Sequence, residues 1–272
     1  MYFIRAIIDF VIILLLIRLL IRPVETNFNQ IFSIIFRITE PVLKPVKSFL
    51  KKDLQAVLFS VFILVILRGF VFIAIKTMPL LSGIGISFLY LFQLLFQFYI
   101  IVWFISVLTS YGTQNYAISM VQRAFQPLSL LSSFFRVPRK HFSIFSFIFL
   151  LLLFSVLNHL LYYIIAFNRL SPSFSFFHSV AEGLKLIIML FTFPGFFTLV
   201  IIAGVLISWV SPDPYNPIVQ TIYGISEPFL TPFRKFIPSL AGLDFSPLIA
   251  LLCFNVVGNF LLNFINSVVR VI

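Results

Sequence analysis

The chain has a single cysteine, Cys253, in 272 residues, so it has no internal disulfide framework and gives no redox signal. It has three histidines, at positions 141, 159 and 178, and no two of them share a metal-ligand spacing. Aspartate and glutamate together number eight, scattered along the chain, so paired carboxylates for acid–base chemistry are not in evidence. No glycine-rich phosphate loop and no serine nucleophile elbow occurs. An enzyme is therefore the least supported reading, and the residues imply no cofactor. His159 offers one axial ligand to a haem, and no second histidine matches it. Charge itself is sparse. Only 10% of residues are charged while 61% are hydrophobic, far more apolar surface than a soluble domain of this length has any use for.

What is present is a set of long apolar runs. A spanning helix needs about 20 mostly apolar residues, and six stretches qualify: Ile4–Ile21, Leu54–Ile75, Phe88–Leu108, Phe142–Phe167, Leu186–Trp209 and Pro247–Val268. Phenylalanine, with 38 copies, reads as lipid-facing filler. Between the runs a spacing recurs. Asn29 precedes Glu40-Pro41, Asn115 precedes Gln126-Pro127, and Asn216 precedes Glu227-Pro228, eleven residues from Asn to Glu or Gln in each case. The chain thus reads as an all-α polytopic membrane protein. Its six spans form three helix–amphipathic loop–helix repeats over residues 1–80, 86–168 and 186–272.

Each loop carries helical periodicity in a segment too polar to span. Ile31, Ile35 and Ile38 face one way in the first, with Ser33, Arg37 and Glu40 opposite. The expectation is a helix lying in the headgroup layer, ending at the proline because residues before proline avoid the helical region. Glu40 and Glu227 would then sit at the N-terminus of a following short helix, where negative charge is favoured. Asp53, His141 and Asp244 stand at the re-entry points as caps for the next span. The net charge of +11 sets topology. Arg22, Arg37, Lys44, Lys47, Lys51 and Lys52, then Arg123, Arg136, Arg139 and Lys140, then Arg234 and Lys235 lie in the motif loops. The other side holds Arg5, Lys76, Arg169, Lys185 and Arg270. That bias puts the loops in the cytoplasm and both termini on the opposite side. The basic loops would attract anionic headgroups or receive a membrane-protein partner; no nucleic-acid contact is expected.

Polar residues within the runs are the remaining candidates, since such groups are costly in lipid. Asp9 and Arg68 lie at similar depth and are expected to pair, while Arg18 is expected to snorkel to the cytoplasmic surface. Asn255, Asn259 and Asn263 form a stripe at i, i+4 and i+8 on the last run. The stripe is either interhelical glue or the lining of a polar path, and the first is favoured.

The third copy resembles a known family. Ser208-Trp209-Val210, Asp213-Pro214-Tyr215-Asn216-Pro217, Ser226-Glu227-Pro228, Pro232-Phe233-Arg234, Pro238 and Gly242-Leu243-Asp244-Phe245-Ser246-Pro247 look like the signature of the YggT family of integral membrane proteins. The first copy is similar from Ile7 to Phe72, and the middle copy keeps only the skeleton. The resemblance implies Asp213, Asn216, Glu227, Pro228, Arg234 and Asp244 as signature positions rather than an active site. It also implies a bacterial inner-membrane location and a part in osmotic-stress resistance or in the biogenesis of other membrane components. The expected function is a non-catalytic scaffold or assembly factor; the alternative is an ion or osmolyte conduit.

Overall fold

The computed structural model describes residues 2–27, 30–76, 79–109, 116–166, 175–210, 213, 215–236 and 244–271. Asn29 and Asn115 lie outside them. The described elements are helical: α1 (Tyr2–Leu20), α2 (Gln30–Lys47), α3 (Asp53–Lys76), α4 (Leu80–Thr109), α5 (Tyr116–Phe134), α6 (Phe142–Ala166), α7 (Phe176–Met189), α8 (Phe196–Val210), α9 (Pro217–Phe236) and α10 (Ser246–Val271), with short 3-10 turns at Pro23–Asn27 and Arg139–His141. The chain divides into two compact units. The first holds residues 1–94 and 160–172, the second 95–159 and 173–272.

In the first unit α1, α2 and α3 pack on one another. Ile8, Ile12 and Leu15 line one face of α1 and meet Val57, Val61 and Val65 of α3, with Leu43 of α2 closing the end. These spacings of three and four residues are what a helix needs to present one stripe. The outward faces stay apolar, with Phe3, Phe10, Phe62 and Phe70 among the exposed residues, as expected of surface that meets lipid rather than water. Helix α3 crosses α4 closely at two glycines. A Cβ on Gly69 would lie 3.0 Å from the Ile84 backbone, and one on Gly83 would lie 2.4 Å from the Ile73 side chain. Small residues permit such close crossings in membranes, and this one brings Ser87 beside Arg68.

In the second unit the core is aromatic. Phe191 stacks on Phe197 at 4.7 Å, Phe229 lies 5.0 Å from Phe197, and Phe104 and Phe254 complete the group at 5.1 and 5.9 Å from Phe191. Phenylalanine is therefore not only lipid-facing filler. Ile201, Leu230 and Ala250 join α8, α9 and α10.

Among the described residues, four helices are long and apolar enough to cross a membrane: residues 53–75, 80–108, 142–164 and 246–271. Two of the six expected spans differ. Helix α1 has span length but carries Arg5, Asp9 and Arg18. The run Leu186–Trp209 is not one helix: α7 ends at Met189 and α8 starts at Phe196. Pro194 lacks the N–H that would continue the ladder and its ring crowds the preceding turn. Its bond to Phe193 is cis. The polar groups of the break are met locally. Phe197 N–H donates to the Leu190 carbonyl at 2.9 Å, Thr198 Oγ1 donates to the Gly195 carbonyl at 2.8 Å, and Phe193 N–H donates to Asn255 Oδ1 at 2.8 Å. Non-helical backbone at membrane depth requires such partners. Both short helices pack along α10.

The loop helices also depart from expectation, because none of them stops at its proline. Helix α2 runs through Pro41 and Pro45, α5 through Pro127, and α9 through Pro228 and Pro232. An internal proline costs roughly 3 kcal/mol or more when the freed carbonyl is left without a partner. Here Pro41, Pro45, Pro127 and Pro232 sit on exposed faces. On the inner face Thr39 Oγ1 donates to the Ile35 carbonyl at 2.7 Å.

Candidate functional site

The motif glutamates lie in mid-helix, not at a helix start, and each is an ion-pair partner. Lys47 stands seven residues after Glu40 and Arg234 seven after Glu227, two turns along and on the same face. In the first unit Lys47 Nζ lies 2.9 Å from Glu40 Oε1 and 2.9 Å from Asp53 Oδ1. In the second, Arg234 NH1 pairs with Glu227, and Arg234 Nε donates to Asp244 Oδ2 at 2.7 Å. Both clusters tie a loop helix to the start of the span that follows. Asp53 is the first residue of α3. Asp244 Oδ1 also accepts the Ser246 N–H at 2.9 Å, at the start of α10. Glu and cation recur as Glu-Pro-x-x-x-Pro-x-Lys/Arg at residues 40–47 and 227–234. The sequence reading missed this because it treated the basic residues as headgroup ligands.

Arg18 joins the first cluster. It does not snorkel: only 3% of it is exposed. Its guanidinium donates to Thr39 Oγ1 at 2.9 Å, Glu40 Oε2 at 2.9 Å, Asp53 Oδ1 at 3.4 Å and the Phe36 carbonyl at 3.3 Å, and it lies 4.0 Å from the Phe36 ring centroid. A lone arginine in an apolar run gives no hint of its partners; only the fold of α2 against α1 brings them. After Asn115, the residue eleven positions on is Gln126, the one seven further is Ser133, and the next long apolar run is preceded by His141; none of the three is an acid or a strong base. Gln126 is exposed, and Ser133 Oγ donates to the Leu130 carbonyl at 2.7 Å.

A second group joins α1, α3 and α4. Arg68, with 1% exposed, is ion-paired to Asp9 and donates from Nε to Ser87 Oγ at 3.0 Å and from NH2 to the Ser87 carbonyl. Arg5 Nε lies 3.5 Å from the other Asp9 oxygen, with its guanidinium 4.4 Å from the Tyr90 ring centroid. Of the remaining signature positions, Asn216 Oδ1 accepts the Ile218 N–H at 2.9 Å and caps α9. Asp213 Oδ1 accepts the Tyr215 N–H at 2.9 Å in an exposed turn. Asn255 is half-buried against the helix break, while Asn259 and Asn263 are exposed on α10. His159 is edge-on to Phe176. Among the described residues no cluster of three or more His, Cys, Asp or Glu has metal-binding geometry.

The clusters imply a pH dependence. The hydrogen bond from Lys47, with Arg18 behind it, holds the Glu40 carboxyl below its usual value against the opposing effect of partial burial. At Asp244 partial burial acts upward, but the hydrogen bonds from Arg234 and Ser246 outweigh it, so this carboxyl is also held low. A carboxyl whose folded value lies below its unfolded one adds stability above the unfolded value and loses it as pH falls through the folded one. Melting temperature in nanodiscs should therefore be flat near neutrality and drop below about pH 4. Glu40→Gln should shrink that drop; an acid profile unchanged by Glu40→Gln and Asp244→Asn together would contradict the assignment.

Residues 184–265 match the CCB3/YggT family, a stretch that contains Asp213, Asn216, Glu227, Pro228, Arg234 and Asp244. Similar curated proteins agree. An uncharacterized protein of Pseudomonas aeruginosa is 46% identical over 68 residues, which is 25% of this chain and 34% of that protein. An uncharacterized protein of Haemophilus influenzae is 32% identical over 68 residues, 25% of this chain and 37% of that protein. The uncharacterized protein YggT of Escherichia coli is 34% identical over 59 residues, 22% of this chain and 31% of that protein. The chain thus spans about a third of the length of these relatives. No solved structure matches.

Proposed function

We propose that the protein is a non-catalytic membrane scaffold or assembly factor, built from three helix–loop helix–helix copies, whose loop helices lie at the cytoplasmic face of a bacterial inner membrane and dock a membrane-protein partner. The observation that carries this reading is how the charged residues are used. Glu40, Lys47 and Asp53, and again Glu227, Arg234 and Asp244, are engaged in fixing a loop helix to the next span. A rigidly held surface helix suits recognition better than transport or bond chemistry. The loss of both charges and the cap carboxylate together in the middle copy fits one unit of function that was retained twice and dropped once. The basic residues around the loops supply the orientation and an attraction to anionic headgroups.

The conduit reading, with its link to osmotic stress, has one specific observation in its favour. Asn259 and Asn263 are exposed on α10, and polar groups there want a polar neighbour. Asn255, in contrast, is committed to the Phe193 N–H and the Leu251 carbonyl, at 2.8 Å each, which is helix-to-backbone glue. A photoreactive residue at Phe236, the exposed end of α9 with 85% accessible, decides between them in native membranes. A single reproducible protein crosslink is the expected result. Crosslinks to lipid alone would end partner docking through this loop, and flux through liposomes bearing Asn259→Leu would then become the informative assay.

A further inference from the structure

The two charge clusters differ in one respect. In the first unit two carboxylates, Glu40 and Asp53, face two cations, Lys47 and Arg18. In the second, among the described residues, the carboxylates of Glu227 and Asp244 face Arg234 alone. On α8 the residue that faces the corresponding side chains of α9 is a glycine. A Cβ built on Gly204 of α8 would point at Ser226 Oγ, 3.3 Å away, and at Tyr223 Cε1, 3.8 Å away. Ser226 and Tyr223 precede Glu227 by one and four residues, as Thr39 and Phe36 precede Glu40. Thr39 and Phe36 are the residues that receive Arg18, one by a hydrogen bond and one by its ring. Around the missing side chain lies a cleft of about 700 Å³, bordered by Gly204, Tyr223, Ser226, Glu227, Arg234 and Asp244. The second unit therefore keeps the hydroxyl, the aromatic ring and the two carboxylates that receive Arg18 in the first; among the described residues its one cation, the Arg234 guanidinium, stands where Lys47 does, and no second one reaches Ser226 and Tyr223.

We propose that this cleft binds the arginine side chain of a partner protein, which completes the cluster as Arg18 completes the other. The proposal rests on the docking reading above and names the chemistry by which docking occurs. Arginine fits better than lysine. A planar fork can bond two carboxylates and a hydroxyl while stacking on a ring, whereas an ammonium is a point charge. A polypeptide fits better than a free cation, because Leu206 and Trp209, 52% and 72% exposed, form an apolar rim at the cleft.

Trp209 is also a reporter. The chain has two tryptophans, so Trp103→Phe leaves Trp209 alone. The full chain in nanodiscs is titrated with N-acetyl-arginine methylamide and, separately, with the lysine counterpart and free L-arginine. The expected result is a saturable change in Trp209 emission in the millimolar range for the arginine amide, several-fold weaker for lysine. Gly204→Arg should abolish it and raise the melting temperature, since the cluster is then complete within the chain. Glu227→Gln should weaken it at least several-fold, and serves if Gly204→Arg does not fold. No saturable response, or an equal response in Glu227→Gln, overturns the site. A response restricted to free L-arginine, or binding of the amide without any protein crosslink from Trp209 or Phe236 in membranes, overturns the partner as the source of the group. Protein crosslinks from Phe236 with no amide binding leave docking standing and reject this site for it.

Discussion

Asp9→Asn is expected to destabilise the first unit by about 2–4 kcal/mol, a large share of what holds a domain together. The substitution keeps shape and removes only charge. Arg68, which is fully buried, would be left with the neutral groups of Ser87 as its partners. Removing one member of a buried pair leaves an uncompensated charge, and in a chain that meets lipid there is no water to enter and solvate it. Replacing both members, as Asp9→Leu with Arg68→Met, removes the charge along with its partner. That double variant should be more stable than Asp9→Asn by at least about 1 kcal/mol. Unfolding in mixed micelles measures the order directly. A double variant no better than the single one would mean that the pair contributes through packing rather than through charge compensation.

Arg18→Ala should be nearly as damaging, at about 2–4 kcal/mol. The alanine removes the donor to Thr39 Oγ1 and one of the donors to the Phe36 carbonyl, and leaves the carboxylates of Glu40 and Asp53 to Lys47 alone. Arg18→Lys should recover little, because a single ammonium cannot bond both carboxylates, reach a hydroxyl and stack on the Phe36 ring at once. Glu40→Gln should be much milder, about 0–1 kcal/mol, since the Glu40 side chain is 46% exposed and pairs of that kind are screened by solvent. The predicted order by thermal melting is therefore Arg18→Ala, then Arg18→Lys, then Glu40→Gln. Equal effects of Arg18→Lys and wild type would show that charge alone, and not the guanidinium, is what the cluster needs. The same comparison bears on the second unit, where the cleft at Gly204 holds no counterpart of Arg18 among the described residues.

Much of the architecture is set by residue type and spacing. Uninterrupted apolar runs at Leu54–Ile75 and Pro247–Val268 become α3 and α10 within a residue or three at either end, because a long apolar stretch in lipid has to satisfy its backbone within itself. The pairing of Asp9 with Arg68 was likewise readable, since opposite charges in apolar runs have few alternatives to each other. Tertiary structure decided what periodicity does not encode. Hydropathy sees Leu186–Trp209 as one run, but the Thr192-Phe193-Pro194-Gly195 step breaks it, and the break finds a long-range partner in Asn255, which arrives from α10 to take the Phe193 N–H. Local rules end a helix at proline, yet α2 and α9 continue, with Pro41, Pro45 and Pro232 facing outward and the opposite face packed. Whether Arg18 reaches the surface or is held inside depends on Thr39, Glu40 and Asp53, residues 21 to 35 positions away. Long-range partners of single charged residues are a property of how helices cross, and no stretch of sequence taken alone contains that information.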